Sequence, residues 1–276
     1  MSFDNLLVHL DHSPACAGRL VAAVSLAKRS SARLTGLYAV SDPHVASAAS
    51  RNRKVFAAKG VAEIKAMFEE HTRTASLDAH WETMISTNDA RVNLDMVRAA
   101  RSFDLVIVGQ FDMNTSDGSI REDMVQQIVL RSGRPVLVIP HAGQFPAIGR
   151  RAVIAWNASR EAVRAVNDAV PLIANAESVT VLTLDAAGKP RKDVNGPFAD
   201  IVEHLGAHGI EATYERLAFD RHAIDPAERL LSHLADEGAD LLVMGAFGDL
   251  DDRTQTHTGL TVPILRHMTV PVLLSC

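Results

Sequence analysis

The chain carries one pattern twice. Asp104-Leu105-Val106-Ile107-Val108-Gly109 is followed, 26 residues after its glycine, by Pro135-Val136-Leu137-Val138-Ile139. Asp240-Leu241-Leu242-Val243-Met244-Gly245 is followed, again 26 residues after its glycine, by Pro271-Val272-Leu273-Leu274-Ser275. The fronts of the two halves match as well, Leu7-Val8-His9-Leu10-Asp11-His12-Ser13 against Val153-Ile154-Ala155-Trp156-Asn157-Ala158-Ser159. The offset is 146 residues at the front and 136 at the back, so the second copy is shorter in its middle. A repeat of this length is a duplicated domain rather than a solenoid unit, because each copy can bury a core of its own. The domains are read as 1–140 and 150–276, joined by 141–149.

With 276 residues and 47% hydrophobic content, the chain suits two globular domains of ordinary size. A net charge of -5 argues against a nucleic-acid binder, which needs a basic face. No apolar run approaches the roughly 20 residues of a bilayer span. The N-terminus lacks a basic leader region, so the expectation is a soluble, cytoplasmic protein without membrane or nucleic-acid partners. Cys16 and Cys276 stand near opposite ends and read as two free thiols. Cys16 falls on the first turn of an expected helix, where a thiolate gains some stabilisation, but no other feature of a reactive cysteine accompanies it.

Within each half, strand and helix alternate. In the first half strands are expected at 5–10, 34–40, 77–85, 104–108 and 135–139, with helices at 14–30, 52–73, 88–102 and 120–132. Ser13 reads as the N-cap of the first helix and Pro14 as its first residue. In the second half strands are expected near 151–156, 178–184, 210–217, 240–244 and 271–275, with helices near 160–175, 197–208, 224–238 and 260–267. Runs such as Leu105-Val106-Ile107-Val108 and Leu241-Leu242-Val243-Met244 are apolar at every position, as strands of a parallel sheet covered on both faces must be. The fold class is therefore α/β: two tandem doubly wound domains, each a five-stranded parallel sheet flanked by helices.

In such a sheet a ligand binds beyond the carboxyl ends of the strands, where the strand order reverses. The residues at issue follow the first and fourth strands: Leu10-Asp11-His12-Ser13 and Gly109-Gln110-Phe111-Asp112 in half one, Trp156-Asn157-Ala158-Ser159 and Gly245-Ala246-Phe247-Gly248 in half two. Glycines there let backbone approach phosphate oxygens, and Thr258-Gly259-Leu260-Thr261 opens a helix whose first N–H groups are unpaired.

These segments, with Leu265-Arg266-His267-Met268-Thr269-Val270-Pro271-Val272-Leu273, resemble a tandem universal stress protein over essentially the whole chain. The resemblance implies ATP or AMP as ligand, with Mg²⁺, bound through glycine, two residues, glycine, nine residues, then glycine and a hydroxyl residue. It implies no strong catalytic activity. Carried onto this sequence, the ligand residues would be Trp156, Asn157, Met244, Gly245, Phe247, Gly248, Thr258, Gly259 and Thr261. The sequence departs from that pattern in three ways. Thr258-Gly259 reverses the glycine and hydroxyl order, and Asn157-Ala158 replaces the family's aspartate and glycine. Asp249-Leu250-Asp251-Asp252-Arg253 places three carboxylates near the phosphates, which calls for Mg²⁺ or Arg253 as an offset. Half one keeps Asp11 but lacks the second glycine, with Asp112 and Asp117 at the phosphate positions, so its site reads as degenerate.

Other constellations point to ordinary structure. His204 and His208 have metal-ligand spacing on a helix but no third ligand in sequence, and read as solvated helix-end residues. Asp11-His12 and His222 with Asp225 are pairs without a third member. Ser13 and Ser159 are explained as helix caps rather than nucleophiles, and no nucleophile elbow or P-loop occurs. Trp156 stands open between a ligand contact and a ring that covers the groove between strands. Two functions remain: a nucleotide-responsive stress protein with its ligand in half two, or a ligand-free protein-interaction module in which both pockets have decayed. The apolar strands 135–139 and 271–275 would each leave an exposed sheet edge, so the halves are expected to pair through them as a pseudo-dimer. A further homodimer of the whole chain is left open.

Overall fold

Ten strands and eight helices, alternating within each half of the chain, make up a computed structural model, which describes residues 2–41, 51–86, 88–113, 121–186, 198–220, 223–247 and 259–276. The chain divides into two units, Ser2–Pro146 and Ala147–Cys276.

The N-terminal unit runs β1 (Asn5–Leu10), α1 (Cys16–Ser30), β2 (Arg33–Ser41), α2 (Arg51–Thr74), β3 (Ala79–Ser86), α3 (Asp89–Ala100), β4 (Leu105–Gly109), α4 (Met124–Ser132) and β5 (Val136–Ile139). Its strands lie in the order β3-β2-β1-β4-β5, every neighbouring pair parallel. The chain moves outward in one direction from β1 to β3 and in the other from β4 to β5. The order therefore reverses between β1 and β4, and the crevice at their carboxyl ends is where this architecture places ligands. β4 and β5 are buried at every residue and β1 at all but its first, which is why their sequences show no polar alternation. β3, at the edge, is largely exposed. In β2, Gly36 marks a close approach, since a Cβ there would lie 2.8 Å from the Phe68 ring of α2.

The C-terminal unit repeats the plan with β6 (Arg151–Ala155), α5 (Arg160–Ile173), β7 (Ser178–Ala186), α6 (Phe198–Ala207), β8 (Thr213–Phe219), α7 (Pro226–Asp236), β9 (Leu241–Gly245), α8 (Thr261–His267) and β10 (Val272–Ser275). Its order, β8-β7-β6-β9-β10, reverses between β6 and β9, again with all pairs parallel. Pro135 and Pro271 stand just before β5 and β10, where each carbonyl accepts from the neighbouring strand and the missing N–H breaks no ladder.

Three local expectations change. The first helix begins at Cys16 rather than Pro14, with Ala15 as N-cap and no side-chain cap. Ser13 does not cap it, because the Cys16 N–H three residues on bonds to the Ser13 carbonyl at 3.0 Å while the hydroxyl turns to the Asp11 carboxylate. The fourth helix starts at Met124, after a turn, instead of 120. β8 starts at Thr213 instead of 210, because Gly209 takes φ +75° and Ile210 N–H folds back onto Leu205 O at 3.0 Å. Ser159, by contrast, caps α5 as its sequence suggests, its hydroxyl accepting from Ala162 N–H at 3.1 Å. Among the described residues no helix is long and apolar enough to cross a membrane.

Candidate functional site

In the N-terminal unit β1 delivers Asp11 to the crevice, but the carboxylate is buried and its Oδ1 is committed to protein, while Oδ2 has no partner among the described residues. Asp11 Oδ1 accepts from the Ser13 N–H at 3.1 Å, the Ser13 hydroxyl at 2.6 Å and Arg19 Nη2 at 2.8 Å. Arg19, on α1 and equally buried, also donates from Nε to the His9 carbonyl at 2.7 Å. Burial alone would raise the Asp11 carboxyl. The positive charge of Arg19, then His9 and the hydrogen bonds from Ser13 and Arg19, outweigh it and hold the group well below the carboxylate range. Burial likewise works against the Arg19 charge, and Asp11 restores it. Asp11 is thus the counter-ion of an internal arginine.

The neighbouring positions are filled as well. His12 Nε2 and the Tyr38 hydroxyl share a hydrogen bond of 2.7 Å. A Cβ on Gly60 of α2 would fall 2.6 Å from the His12 ring, so the helix backbone rests directly on the imidazole. Burial first, and then the Asp11 charge, push Tyr38 up to about 12, so it remains a neutral phenol. Cys16 is buried and its thiol is pushed up by that burial, the opposite of an activated cysteine.

The front offset of 146 puts Asn157, Ala158 and Ser159 at the places of Asp11, His12 and Ser13, and Ala165 at that of Arg19. The turn is the same: Ser159 N–H donates to Asn157 Oδ1 at 3.1 Å, as Ser13 does to Asp11. The charges are gone together. Ala165 is buried where Arg19 was, and Asn157 stays partly exposed, its Nδ2 without a partner among the described residues. Trp156 is 4% exposed. Its backbone is paired, N–H to Leu182 O at 2.8 Å and O to the Thr183 hydroxyl at 3.2 Å, yet its indole Nε1 has no acceptor among the described residues. Ala158 holds φ +60°, a left-handed backbone that costs an alanine about 1 kcal/mol and suits the glycine of the family pattern better.

At the end of the adjacent β9, Met244 is buried and Gly245 serves packing. A Cβ on Gly245 would lie 2.5 Å from Ala162 N and 2.6 Å from the Glu161 carbonyl carbon, so the first turn of α5 seats on this glycine. Phe247 has φ +52° and its N–H donates to the Thr261 hydroxyl at 3.4 Å, with Thr261 itself buried. Gly259 is exposed and faces open space. Of the nine expected ligand residues, Trp156, Asn157 and Gly245 come together at neighbouring strand ends, and Phe247 and Thr261 join through their hydrogen bond. Gly248, Thr258 and the acidic loop Asp249-Leu250-Asp251-Asp252-Arg253 lie outside the described residues, as do Asp117 and His222.

His204 and His208 meet edge to face at 4.9 Å, and no group of three metal-ligating side chains occurs among the described residues.

Residues 2–140 match the model of the Universal stress protein family. The chain belongs to the universal stress protein family. Among solved structures, a universal stress protein from Archaeoglobus fulgidus DSM 4304 is 14% identical, with 100% of this chain and 99% of that chain covered and a TM-score of 0.73. A protein of unknown function from Pseudomonas aeruginosa PAO1 is 13% identical, covering 99% of this chain and 92% of that one, with a TM-score of 0.58. At these identities the likeness speaks for the fold alone. A universal stress protein solved in complex with cAMP is 15% identical over 51% of this chain and 100% of its own, with a TM-score of 0.37. None of the curated proteins matches the chain.

Three residues that shape this universal stress protein's crevices escape the sequence reading: Arg19, Tyr38 and Gly60. For Arg19 a signal existed. Aligning the halves at 146 sets Asp11 with Arg19 against Asn157 with Ala165, two paired changes that remove a charge of each sign. Tyr38 and Gly60 carry no such mark, because their meeting with His12 depends on how α2 docks.

Proposed function

We propose that this universal stress protein binds an adenine nucleotide, ATP or AMP, in its C-terminal unit, without a dedicated turnover chemistry. The asymmetry of the two crevices carries this reading. In the N-terminal unit Asp11 Oδ1 is spent on Arg19 and Ser13, its Oδ2 and Arg19 Nη1 are buried without a partner among the described residues, and the turn is covered by His12, Tyr38 and Gly60. In the C-terminal unit the Asn157 amide and the Trp156 indole N–H keep donors unspent among the described residues, next to Gly245. A buried donor without an acceptor costs on the order of 1–3 kcal/mol, which a ligand acceptor would recover. Gly259, open to solvent, and Gly248 and Thr258 would border the phosphates, with Mg²⁺ offsetting Asp249, Asp251 and Asp252.

The test is mass spectrometry of small molecules released from the purified, denatured protein, with thermal unfolding in millimolar ATP or AMP and Mg²⁺. Each unit holds a single tryptophan, Trp81 or Trp156, so the ligand-induced shift should appear in the Trp156 transition. Gly259→Asp should abolish it by setting a carboxylate against the phosphates. No released nucleotide and no shift would sink the reading.

A second reading, a ligand-free interaction module, is favoured by two observations. Gly245 is occupied by the packing of α5, and the Thr261 hydroxyl oxygen already accepts from the Phe247 N–H.

We also propose that the two units pair through β5 and β10, the apolar strands that end each unit's own sheet order. The second half expressed alone, from residue 149, should then self-associate or precipitate during sedimentation analysis. A well-behaved monomer would count against the pairing.

A further inference from the structure

We propose that the outer edge of β3 binds the same edge of a second copy of this chain, forming a symmetric antiparallel strand pair centred on Trp81. β3 closes the N-terminal unit's sheet on one side, and Ala79, His80, Glu82 and Thr83 are exposed. Its inner ladder is set by the bond from Leu34 N–H to Asp78 O at 2.9 Å and the register Leu34↔Ala79, Thr35↔His80, Gly36↔Trp81. Backbone groups alternate sides along a strand, so residues 78, 80, 82 and 84 bond inward to β2. The N–H and C=O groups of Ala79, Trp81 and Thr83 therefore point outward, a template for one more strand.

The side chains choose both the occupant and the register. A twofold axis through Trp81 sets Trp81 opposite Trp81 and Ala79 opposite Thr83, all with outward backbone groups, giving hydrogen-bonded pairs. It also sets each His80 opposite the other copy's Glu82, at the non-hydrogen-bonded positions where facing side chains come closest. Both registers one residue away are penalised. Centring on Glu82 opposes Glu82 to itself, and centring on His80 opposes Asp78 to Glu82. Within one copy His80 Nε2 already lies 3.6 Å from Glu82 Oε1, so both side chains occupy the same face and a second copy would interleave a four-member ladder of alternating imidazole and carboxylate groups. The Trp81 indole N–H donates to Thr83 Oγ1 at 2.9 Å, which lays the ring along the strand at the axis. The groove between α2 and β3 does not select a charged small ligand instead, because its charges are paired internally, Lys65 with Glu69 and Arg73 with Glu70.

Sedimentation of the full chain over a range of concentrations tests this. The wild type should show a monomer–dimer equilibrium. His80→Glu places like charges in both cross-strand pairs and should weaken dimerisation by about tenfold or more. Adding Glu82→Lys to His80→Glu places opposite charges in both cross-strand pairs and should restore the dimer. Thr83→Pro removes an outward N–H without touching the bonds to β2, and should abolish dimerisation while the Trp81 unfolding transition stays in place. A wild type that stays monomeric overturns the proposal. So does a dimer insensitive to both single variants, or a double variant that fails to recover. Association beyond a dimer overturns it too, since a closed twofold contact ends at two copies.

Discussion

Replacing Arg19 with alanine should destabilise the N-terminal unit by about 3–5 kcal/mol, the range for removing one partner of a buried ion pair. Arg19 and Asp11 are 1% and 0% exposed, 2.8 Å apart, so the variant leaves a carboxylate with neither water nor a cation. The lost hydrogen bond from Arg19 Nε to the His9 carbonyl adds to the cost. Most of the loss should return in Asp11→Asn with Arg19→Ala, because Asn157 and Ala165 hold the same turn in the second half without charge. Urea unfolding followed through Trp81, with Trp156 replaced by phenylalanine, reads the N-terminal unit by itself. If the single and double variants lose stability equally, the unpaired carboxylate is not the cause. Acid should act in the same direction. Asp11 has its folded carboxyl held below the unfolded value, so its contribution is complete above the unfolded carboxylate range and fades as pH falls below it. The double variant should lose that part of the acid sensitivity.

Gly245→Ala should cost the C-terminal unit about 2–3 kcal/mol, and Gly245→Val more, with no ligand present. The new Cβ would meet Ala162 N at 2.5 Å, the Glu161 carbonyl carbon at 2.6 Å and the Glu161 Cβ at 2.8 Å. Two of those three atoms are helix backbone and cannot rotate aside, so α5 must lift from β9, the strand on which it seats. Unfolding followed through Trp156, with Trp81 replaced by phenylalanine, measures the loss. If the variant unfolds like wild type in ligand-free buffer yet loses nucleotide, Gly245 is a phosphate contact first and a packing residue second. A nucleotide defect that accompanies the loss of stability would reflect the lifted α5 rather than a lost phosphate contact.

The duplication, the strands and their parallel class are legible in the sequence because each rests on neighbours a few residues apart. Leu105–Val108 and Leu241–Met244 could only be strands covered on both faces, and burial at these positions bears that out. Ser159 announces the start of α5 three residues before the N–H it accepts. The identical serine at position 13 misleads, since there the N–H three residues on, that of Cys16, bonds to the serine's own carbonyl. Local chemistry competes there, and the sequence does not say which acceptor wins.

The crevices are decided by contacts between elements. Whether Asp11 faces a ligand or an arginine depends on α1 lying on the sheet so that Arg19 points inward, and a helical arginine usually points to solvent. His12 meets Tyr38 because β1 and β2 pair with Leu10 opposite Tyr38, and Gly60 joins them only once α2 has docked. Gly245 looks like a phosphate glycine in sequence and becomes a helix seat when α5 folds back over β9. The outward amides of β3 follow from a register that no residue pattern within β3 specifies. Sequence alone determined the repeat, the strand and helix order and the family, because periodicity and motif spacing are properties of short segments. Tertiary structure decided which polar groups are spent and which remain open, because each of those pairings joins residues brought together only by packing.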